Sequence, residues 1–315
     1  MKKLLLFLFL LVFIFSCKKN KEEDPLPQQG SNYRVQYVEY TDPVTSAVTN
    51  KAVYTYNASE RVTKIAILNA NNDTTSVSRY EYNDRGLISR FSNSGEPVCY
   101  IYAYTSDSLV ESVTRYRNTA GTNLDYTTYY YYNSARDLMY LVKQFENSFT
   151  VRDSLVLFGY VNGRPTTADY YQKTDADYFI VGKKKYTYDA YMNRIKTETT
   201  PYGDVTQFYT ASTAVFDTDE DDELLNNIIG GINVSIGGSD DYINNNSRNS
   251  NKSYEEAYSQ YFECGLSSSR ENKIETKNDA GLPLSIRSIS NRYTCGTLQA
   301  GSPTELLMKI SYRRF

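Results

Sequence analysis

Tyr80-Glu81-Tyr82-Asn83-Asp84-Arg85-Gly86-Leu87-Ile88-Ser89-Arg90-Phe91 is the stretch whose reading decides the fold. Tyr80 and Tyr82 are two apart, so on a strand both rings face one side and Glu81 the other. The Asn83-Asp84-Arg85-Gly86 that follows contains residues tolerant of positive φ, which a tight hairpin needs. Leu87 to Phe91 then runs back as the partner strand.

The same unit of aromatic-x-Tyr, turn and returning strand recurs along the chain. It appears at Tyr54-Thr55-Tyr56-Asn57, Tyr102-Ala103-Tyr104, Tyr130-Tyr131-Tyr132-Asn133, Phe158-Gly159-Tyr160 and Tyr186-Thr187-Tyr188-Asp189. Degenerate copies stand at Lys277 to Leu282 and at Tyr37 to Tyr40. The leading aromatics are 26, 22, 28, 28 and 28 residues apart. A second polar turn closes each period, at Asn69 to Asp73, Ser92 to Gly95, Asn118 to Gly121, Asp175 to Asp177 and Pro201 to Asp204. Two strands and two turns fill such a period. The expected fold is all-β: a long antiparallel β-meander of hairpin repeats, forming a strongly curved sheet or half-open barrel with a small helical or loop insert.

Tyr82-Asn83-Asp84-Arg85-Gly86-Leu87-Ile88 and Tyr188-Asp189-Ala190-Tyr191-Met192-Asn193-Arg194-Ile195 carry a resemblance to the YD repeats of Rhs-type and teneurin-type proteins. It covers about residues 33–212 and returns at 273–315. In those proteins the repeats wind into a shell, which six to eight short copies do not close. The chain also resembles uncharacterised Bacteroidetes lipoprotein families of tyrosine-rich hairpins, some labelled as having a porin-like fold. That resemblance implies a fold and a cellular address but no activity.

The N-terminus points the same way. Lys2 and Lys3 precede an apolar run from Leu4 to Phe15, the length of a signal-peptide core and too short to span a bilayer as a helix. Ile14-Phe15-Ser16-Cys17 resembles a bacterial lipobox, which implies lipidation of Cys17 after cleavage. The expected organisation is a signal peptide at 1–16, a lipidated tether at 17–32 and a single repeat domain at 33–315, with an insert at about 213–272. The charged, proline-bearing stretch after Cys17 suits a flexible tether. Lys18 gives no inner-membrane retention signal. Glu22-Glu23-Asp24 resembles the surface-export signal of Bacteroidetes lipoproteins. The expected location is the outer membrane, on its periplasmic or cell-surface side. Asp73-Thr74-Thr75, Asp107-Ser108-Leu109 and Asp153-Ser154-Leu155 resemble a short O-glycosylation motif of exported proteins in the same group.

Composition excludes much chemistry. The chain has 32 tyrosines, no histidine and no tryptophan. Serine and cysteine triads, histidine-ligated metals and histidine base catalysis all go with the missing imidazole. Once Lys2 and Lys3 leave, 32 basic residues face 37 acidic ones, a net charge of −5 that argues against a nucleic-acid partner. No cofactor is implied. Beyond Cys17, Cys99 is expected as a buried strand thiol and Cys264 with Cys295 as a disulfide, a three-cysteine metal site being the alternative.

Residues 213–272 interrupt the pattern. Asp217, Asp219 and Asp221 have the alternate spacing of Ca²⁺ ligands, but Asp222 stands where such a loop wants glycine and Ile228 where it wants glutamate. The preferred reading is an acidic loop capping a short helix from Leu224 to Ile229. A polar loop spans Asn244 to Lys252, and Ser253-x-x-Glu256 has the form of a capping box opening a helix to Phe262.

The C-terminal strand bears on membrane insertion. Counting back from Phe315 by twos meets Arg313, Ser311 and Lys309, while Met308, Ile310 and Tyr312 share the other face. Phe315 therefore does not end a lipid-facing stripe, and a lipid-hung soluble sheet is expected rather than an integral barrel. Function is expected to be a non-catalytic module binding a glycan or a protein. The alternative is a scaffold of an outer-membrane complex, and a carboxylate-pair glycoside hydrolase comes behind both. The candidate binding surface is the tyrosine ladder Tyr80, Tyr82, Tyr130, Tyr132, Tyr186 and Tyr188, whose rings serve either a ligand or ordinary cross-strand packing.

Overall fold

The computed structural model describes residues 33–146, 153–161, 164–173, 177–190, 194–200, 203, 205–221, 249–256, 268–279, 282–294, 297–298 and 301–314. Among the described residues the chain forms strands and no helix. They are β1 (Tyr33–Thr41), β2 (Val48–Tyr56), β3 (Val62–Asn69), β4 (Thr74–Tyr82), β5 (Ile88–Asn93), β6 (Val98–Tyr104), β7 (Val110–Tyr116), β8 (Leu124–Tyr132), β9 (Leu138–Phe145) and β10 (Ser154–Val161). They continue as β11 (Arg164–Lys173), β12 (Tyr178–Tyr188), β13 (Arg194–Thr199), β14 (Tyr209–Asp221), β15 (Asn249–Glu256), β16 (Ser268–Lys277), β17 (Pro283–Thr294), β18 (Thr297–Leu298) and β19 (Thr304–Arg314).

Every strand from β1 to β17 pairs antiparallel with its successor. The short β18 folds back on β17, β17 also pairs with β19, and β19 pairs with β1. The fold is all-β, one long antiparallel meander, curved strongly enough to bring its last strand against its first.

The curvature has a local cause repeated once per hairpin. The register slips just before the second tyrosine of each unit, between Thr55/Tyr56, Glu81/Tyr82, Ala103/Tyr104, Tyr131/Tyr132, Gly159/Tyr160 and Thr187/Tyr188. Each slip leaves one extra residue on the returning strand, namely Thr63, Ser89, Glu111, Met139, Thr166 and Ile195. The degenerate copy does the same with Leu284, between Thr276/Lys277. A bulge of this kind bends its strand and adds right-handed twist. Repeated at the same point of successive hairpins, it curves the meander round until β19 meets β1.

Five of these bulges are clipped by a tyrosine of a later strand. The second tyrosine's hydroxyl donates to the carbonyl of the residue just before an extra one: Tyr82 to Val62 at 2.6 Å, Tyr104 to Ile88 at 2.7 Å, Tyr132 to Val110 at 3.0 Å and Tyr188 to Pro165 at 2.9 Å. Tyr312 clips Pro283 at 2.7 Å in the same way. Tyr56 clips Val35 at 2.7 Å, where β1 slips against β19 between Val35 and Tyr37. A phenol is the residue for this task. Its ring packs on the sheet while its far end reaches a backbone acceptor.

The turns are built on one polar side chain. Asn57, Asn83, Thr105, Asn133 and Asn278 follow the aromatic-x-Tyr position, and each side-chain oxygen accepts from the backbone N–H four residues on. The residue three places on takes positive φ: Glu60, Gly86, Ser108 and Arg136. Of these four only Gly86 is a glycine. The side-chain oxygen, rather than glycine, is the common device.

One face of the sheet is packed. Tyr80, Tyr102, Tyr130, Phe158 and Tyr186 join Val62, Phe91, Leu138, Leu141 and Ala168 in the main core. A smaller core joins Val35, Val38, Ala52 and Leu282 to Met308, Ile310 and Tyr312, the apolar set of the last strand, while Lys309 and Arg313 are exposed.

Two expectations for the insert are corrected. Ser253 to Glu256 lies in β15, paired with both β14 and β16, not in a helix. An isolated helix of that length is marginal, and two neighbouring strands offer a complete hydrogen-bond ladder instead. The polar run before it also enters β15, at Asn249. Asp217, Asp219 and Asp221 lie within β14 rather than in a helix-capping loop or a Ca²⁺ loop. The expected helix at Leu224 to Ile229 falls outside the described residues.

Candidate binding surfaces

The tyrosine ladder proposed from sequence sits on the packed side. Tyr80, Tyr130 and Tyr186 are 6%, 8% and 5% exposed, so their rings present no face to a ligand. Tyr82, Tyr132 and Tyr188 are half-buried, with their hydroxyls committed to Val62, Val110 and Pro165. Both tyrosines of each pair pack against the main core. The side itself is the inside, because the alternate positions Glu81, Tyr131 and Thr187 carry the exposure. Burial also fixes the protonation of these phenols. It pushes Tyr80 up to about 12, with nearby Tyr82 adding to the effect. Tyr56 is likewise pushed up to about 12 by burial, against the opposing charges of Arg34 and Arg313.

The outward side offers a different surface. Cross-strand register sets three rows across it: Ile101, Thr114, Thr127 and Gln144; then Ala103, Ser112, Tyr129, Val142, Leu155 and Tyr171; then Tyr131, Tyr140 and Leu157. From β6 to β10 these rows hold no charged residue; the exposed Glu111, the extra residue of the β7 bulge, stands outside their register. Charge returns on both flanks, as Glu81 opposite Arg90 on β4 and β5 and as Asp169 opposite Lys183 on β11 and β12. Within the neutral stretch Tyr131 and Tyr140 stack with ring centroids 4.4 Å apart and planes 16° apart. Tyr131 is 42% exposed, and Tyr129 and Leu157 are exposed beside it. Thr114 and Thr127 bring paired hydroxyls 3.2 Å apart. The cue in the sequence was Tyr131, the middle residue of Tyr130-Tyr131-Tyr132, which strand alternation sends outward.

A third arrangement lies on the inner face near the ends of β7, β8 and β9. Asp125 is buried and accepts from Arg115 Nη1 and from Arg117 Nε and Nη2 at 2.9 and 2.7 Å. Arg115 Nε also donates to the Tyr100 hydroxyl at 3.1 Å. Lys143 Nζ stands 3.6 Å from the centroid of the Tyr126 ring, and the Arg115 guanidinium lies 5.8 Å from the same ring. Burial works to raise the Asp125 carboxyl, but its hydrogen bonds from Arg117 and Arg115 win and hold it below the usual range. Burial pulls the Lys143 ammonium down, Asp125 opposing that and Arg115 reinforcing it.

Cys99 is a buried strand thiol, free and fully covered, with Gly121 approaching it closely. Cys17, Cys264 and Cys295 lie outside the described residues. Among the described residues no group of histidine, cysteine or carboxylate side chains is disposed to hold a metal ion.

No family model and no curated protein matches the chain. Among solved structures, a porin-like protein from Bacteroides uniformis ATCC 8492 is 15% identical, over 89% of this chain and 96% of that one, at a TM-score of 0.40. A porin-like protein from Bacteroides vulgatus ATCC 8482 is 12% identical, over 88% and 98%, at 0.33. The structure of TcdB2-TccC3 without its hypervariable C-terminal region aligns with 80% of this chain over 14% of its own length, at 12% identity and 0.36. Overlaps this loose say nothing of activity or location.

Proposed function

We propose that this protein is a non-catalytic binding module of the cell envelope, held to the outer membrane by a lipid on Cys17, and that it takes an uncharged glycan on its outward face. The observation that carries the reading is the neutral stretch from β6 to β10, with the Tyr131–Tyr140 stack at its centre. Aromatic faces with neutral hydroxyls beside them match a sugar, whose C–H face packs on a ring and whose hydroxyls need donors and acceptors. A charged glycan would find no counter-charge in these rows.

The test is a glycan array with immobilised neutral polysaccharides, comparing the wild-type protein with a Tyr131→Ala/Tyr140→Ala double variant. Retention of a defined neutral polysaccharide, weakened at least tenfold in the double variant, is expected. That loss corresponds to about 1.4 kcal/mol. Both side chains are exposed, so folding should survive the change. Stable co-purification of an outer-membrane protein with no glycan retained would favour the scaffold reading. The anchor has its own test. Cys17→Ser should move the protein from the membrane to the soluble fraction, and persistence in the membrane would refute lipidation at that residue.

A further inference from the structure

We propose that the inner-face cluster of Lys143, Arg115 and Tyr126 is an oxyanion site, built to take a carboxylate or phosphate group of a small ligand. It is separate from the outward face and does not depend on the glycan reading.

Charge bookkeeping is the first reason. Three cations, Arg115, Arg117 and Lys143, converge on a region whose one close carboxylate is Asp125. Arg117 is 61% exposed and largely solvated, which leaves Arg115 and Lys143 against Asp125 in the covered part. Both arginines already hold Asp125, one on each oxygen. Among the described residues no carboxylate lies within ion-pair distance of Lys143. A half-buried ammonium with no direct ion pair is costly, and an incoming anion offsets that cost.

Position is the second reason. Lys143 does not reach outward along the sheet as a lysine avoiding burial would. It is aligned with Thr128 on β8 and Ser154 on β10, on the inner side. Its ammonium is held over the Tyr126 ring, and Arg115 lies against the same ring from the neighbouring strand. Tyr126 so keeps two cations close without neutralising either. The hydroxyls of Thr128 and Ser154 are neutral hydrogen-bonding partners in the same cross-strand row. A cation pair with neutral hydroxyls in the same cross-strand row is a donor set of the kind an oxyanion requires.

The experiment uses the full chain at fixed ionic strength and titrates it by calorimetry with three probes: potassium phosphate, sodium galacturonate and uncharged galactose. One-to-one binding of phosphate or galacturonate, and none of galactose, is expected. Which anion binds tighter tells whether phosphate or a sugar carboxylate is the natural chemistry. Lys143→Met should weaken that binding at least tenfold, and Lys143→Arg should retain most of it. Melting without ligand should leave Lys143→Met as stable as wild type, since the change removes an uncompensated charge and keeps an apolar stem of similar length. Failure of both anions to bind the wild-type protein would overturn the proposal. So would unchanged binding by a folded Lys143→Met variant. Tyr131→Ala/Tyr140→Ala should leave the anion titration untouched, which separates failure here from failure of the outward glycan surface.

Discussion

Removing one phenol oxygen tests the clip between repeats. In Tyr82→Phe the ring stays and only the hydroxyl that reaches the Val62 carbonyl at 2.6 Å is lost. A hydrogen bond of this kind contributes about 0.5–1.5 kcal/mol net, because water competes for both partners in the unfolded chain. Val62 is fully buried, so its carbonyl loses this partner without gaining water, and the expected loss is about 1.5 kcal/mol, at the upper end of the range. In a chain of this size that lowers the melting temperature by roughly 2–3 °C. Tyr102→Phe is the control. The Tyr102 hydroxyl is buried with no hydrogen-bond partner among the described residues, so its removal should be neutral or stabilising by about 1 kcal/mol. The six clips lie on different hairpins, and distant sites add. Replacing Tyr56, Tyr82, Tyr104, Tyr132, Tyr188 and Tyr312 together should therefore cost about 3–9 kcal/mol, much of a typical domain's stability. Urea unfolding followed by circular dichroism measures all three variants. If Tyr82→Phe and Tyr102→Phe shift the midpoint equally, the clip has no energetic weight and the argument from repeat to curvature loses its fastener.

Two further predictions concern pH and the turns. Burial pushes Tyr56 and Tyr80 up to about 12 and raises Tyr54, Tyr102, Tyr126 and Tyr312 further, against about 10 in an unfolded chain. Their stabilising contribution is whole below pH 10, where tyrosine is protonated in both states, and is lost as pH rises from 10 towards 12 and beyond. Each fully buried phenol gives a slope of up to about 1.4 kcal/mol per pH unit, with less from half-buried Tyr56. Tyrosinate absorbance should therefore appear together with loss of β-sheet signal above pH 10; smooth titration near 10 in an intact sheet would contradict it. At the turns, Ser108 holds φ 66° and Gly86 φ 76° at equivalent places. Ser108→Gly should stabilise by about 0.5 kcal/mol after allowing for the freer unfolded chain. Gly86→Ser should destabilise, since it adds that strain and its Cβ would run into the Arg61 guanidinium. Matched melting curves check the pair, and equal shifts would refute the assignment.

Much of the fold was legible because its signal is local and periodic. Two tyrosines two apart, a polar turn and a returning apolar strand specify a hairpin without reference to the rest of the chain, and repetition specifies a meander. The bulge was not legible. Nothing distinguishes Thr63, Ser89 or Met139 as an extra residue until the opposing register is known, because a bulge is a property of two strands rather than one. The strand at Ser253 to Glu256 was misread for a related reason. A capping box is a local signature, whereas β14 and β16 on either side are a non-local demand, and the ladder prevailed over the box.

The candidate surfaces show the same boundary between local and non-local information. Alternation puts Tyr80 with Tyr82 and opposes both to Glu81, but it does not say which side is inside. In a sheet with one face in water, the charged alternate is the better guide than the aromatic one: Glu81, Arg90 and Lys64 mark the outside of β3 to β5. By that rule the exposed residues of interest are the aromatics standing where charges stand elsewhere, and Tyr131 occupies the place in its repeat that Glu81 holds in the earlier one. The inner cluster inverts the rule. Lys143 is a charge standing where Leu141 and Phe145 keep the apolar face, two residues away on either side. Each surface is thus marked by a residue out of keeping with its own face. A structural explanation alone leaves both costs uncompensated, the open aromatic stack in water and the covered ammonium without an anion.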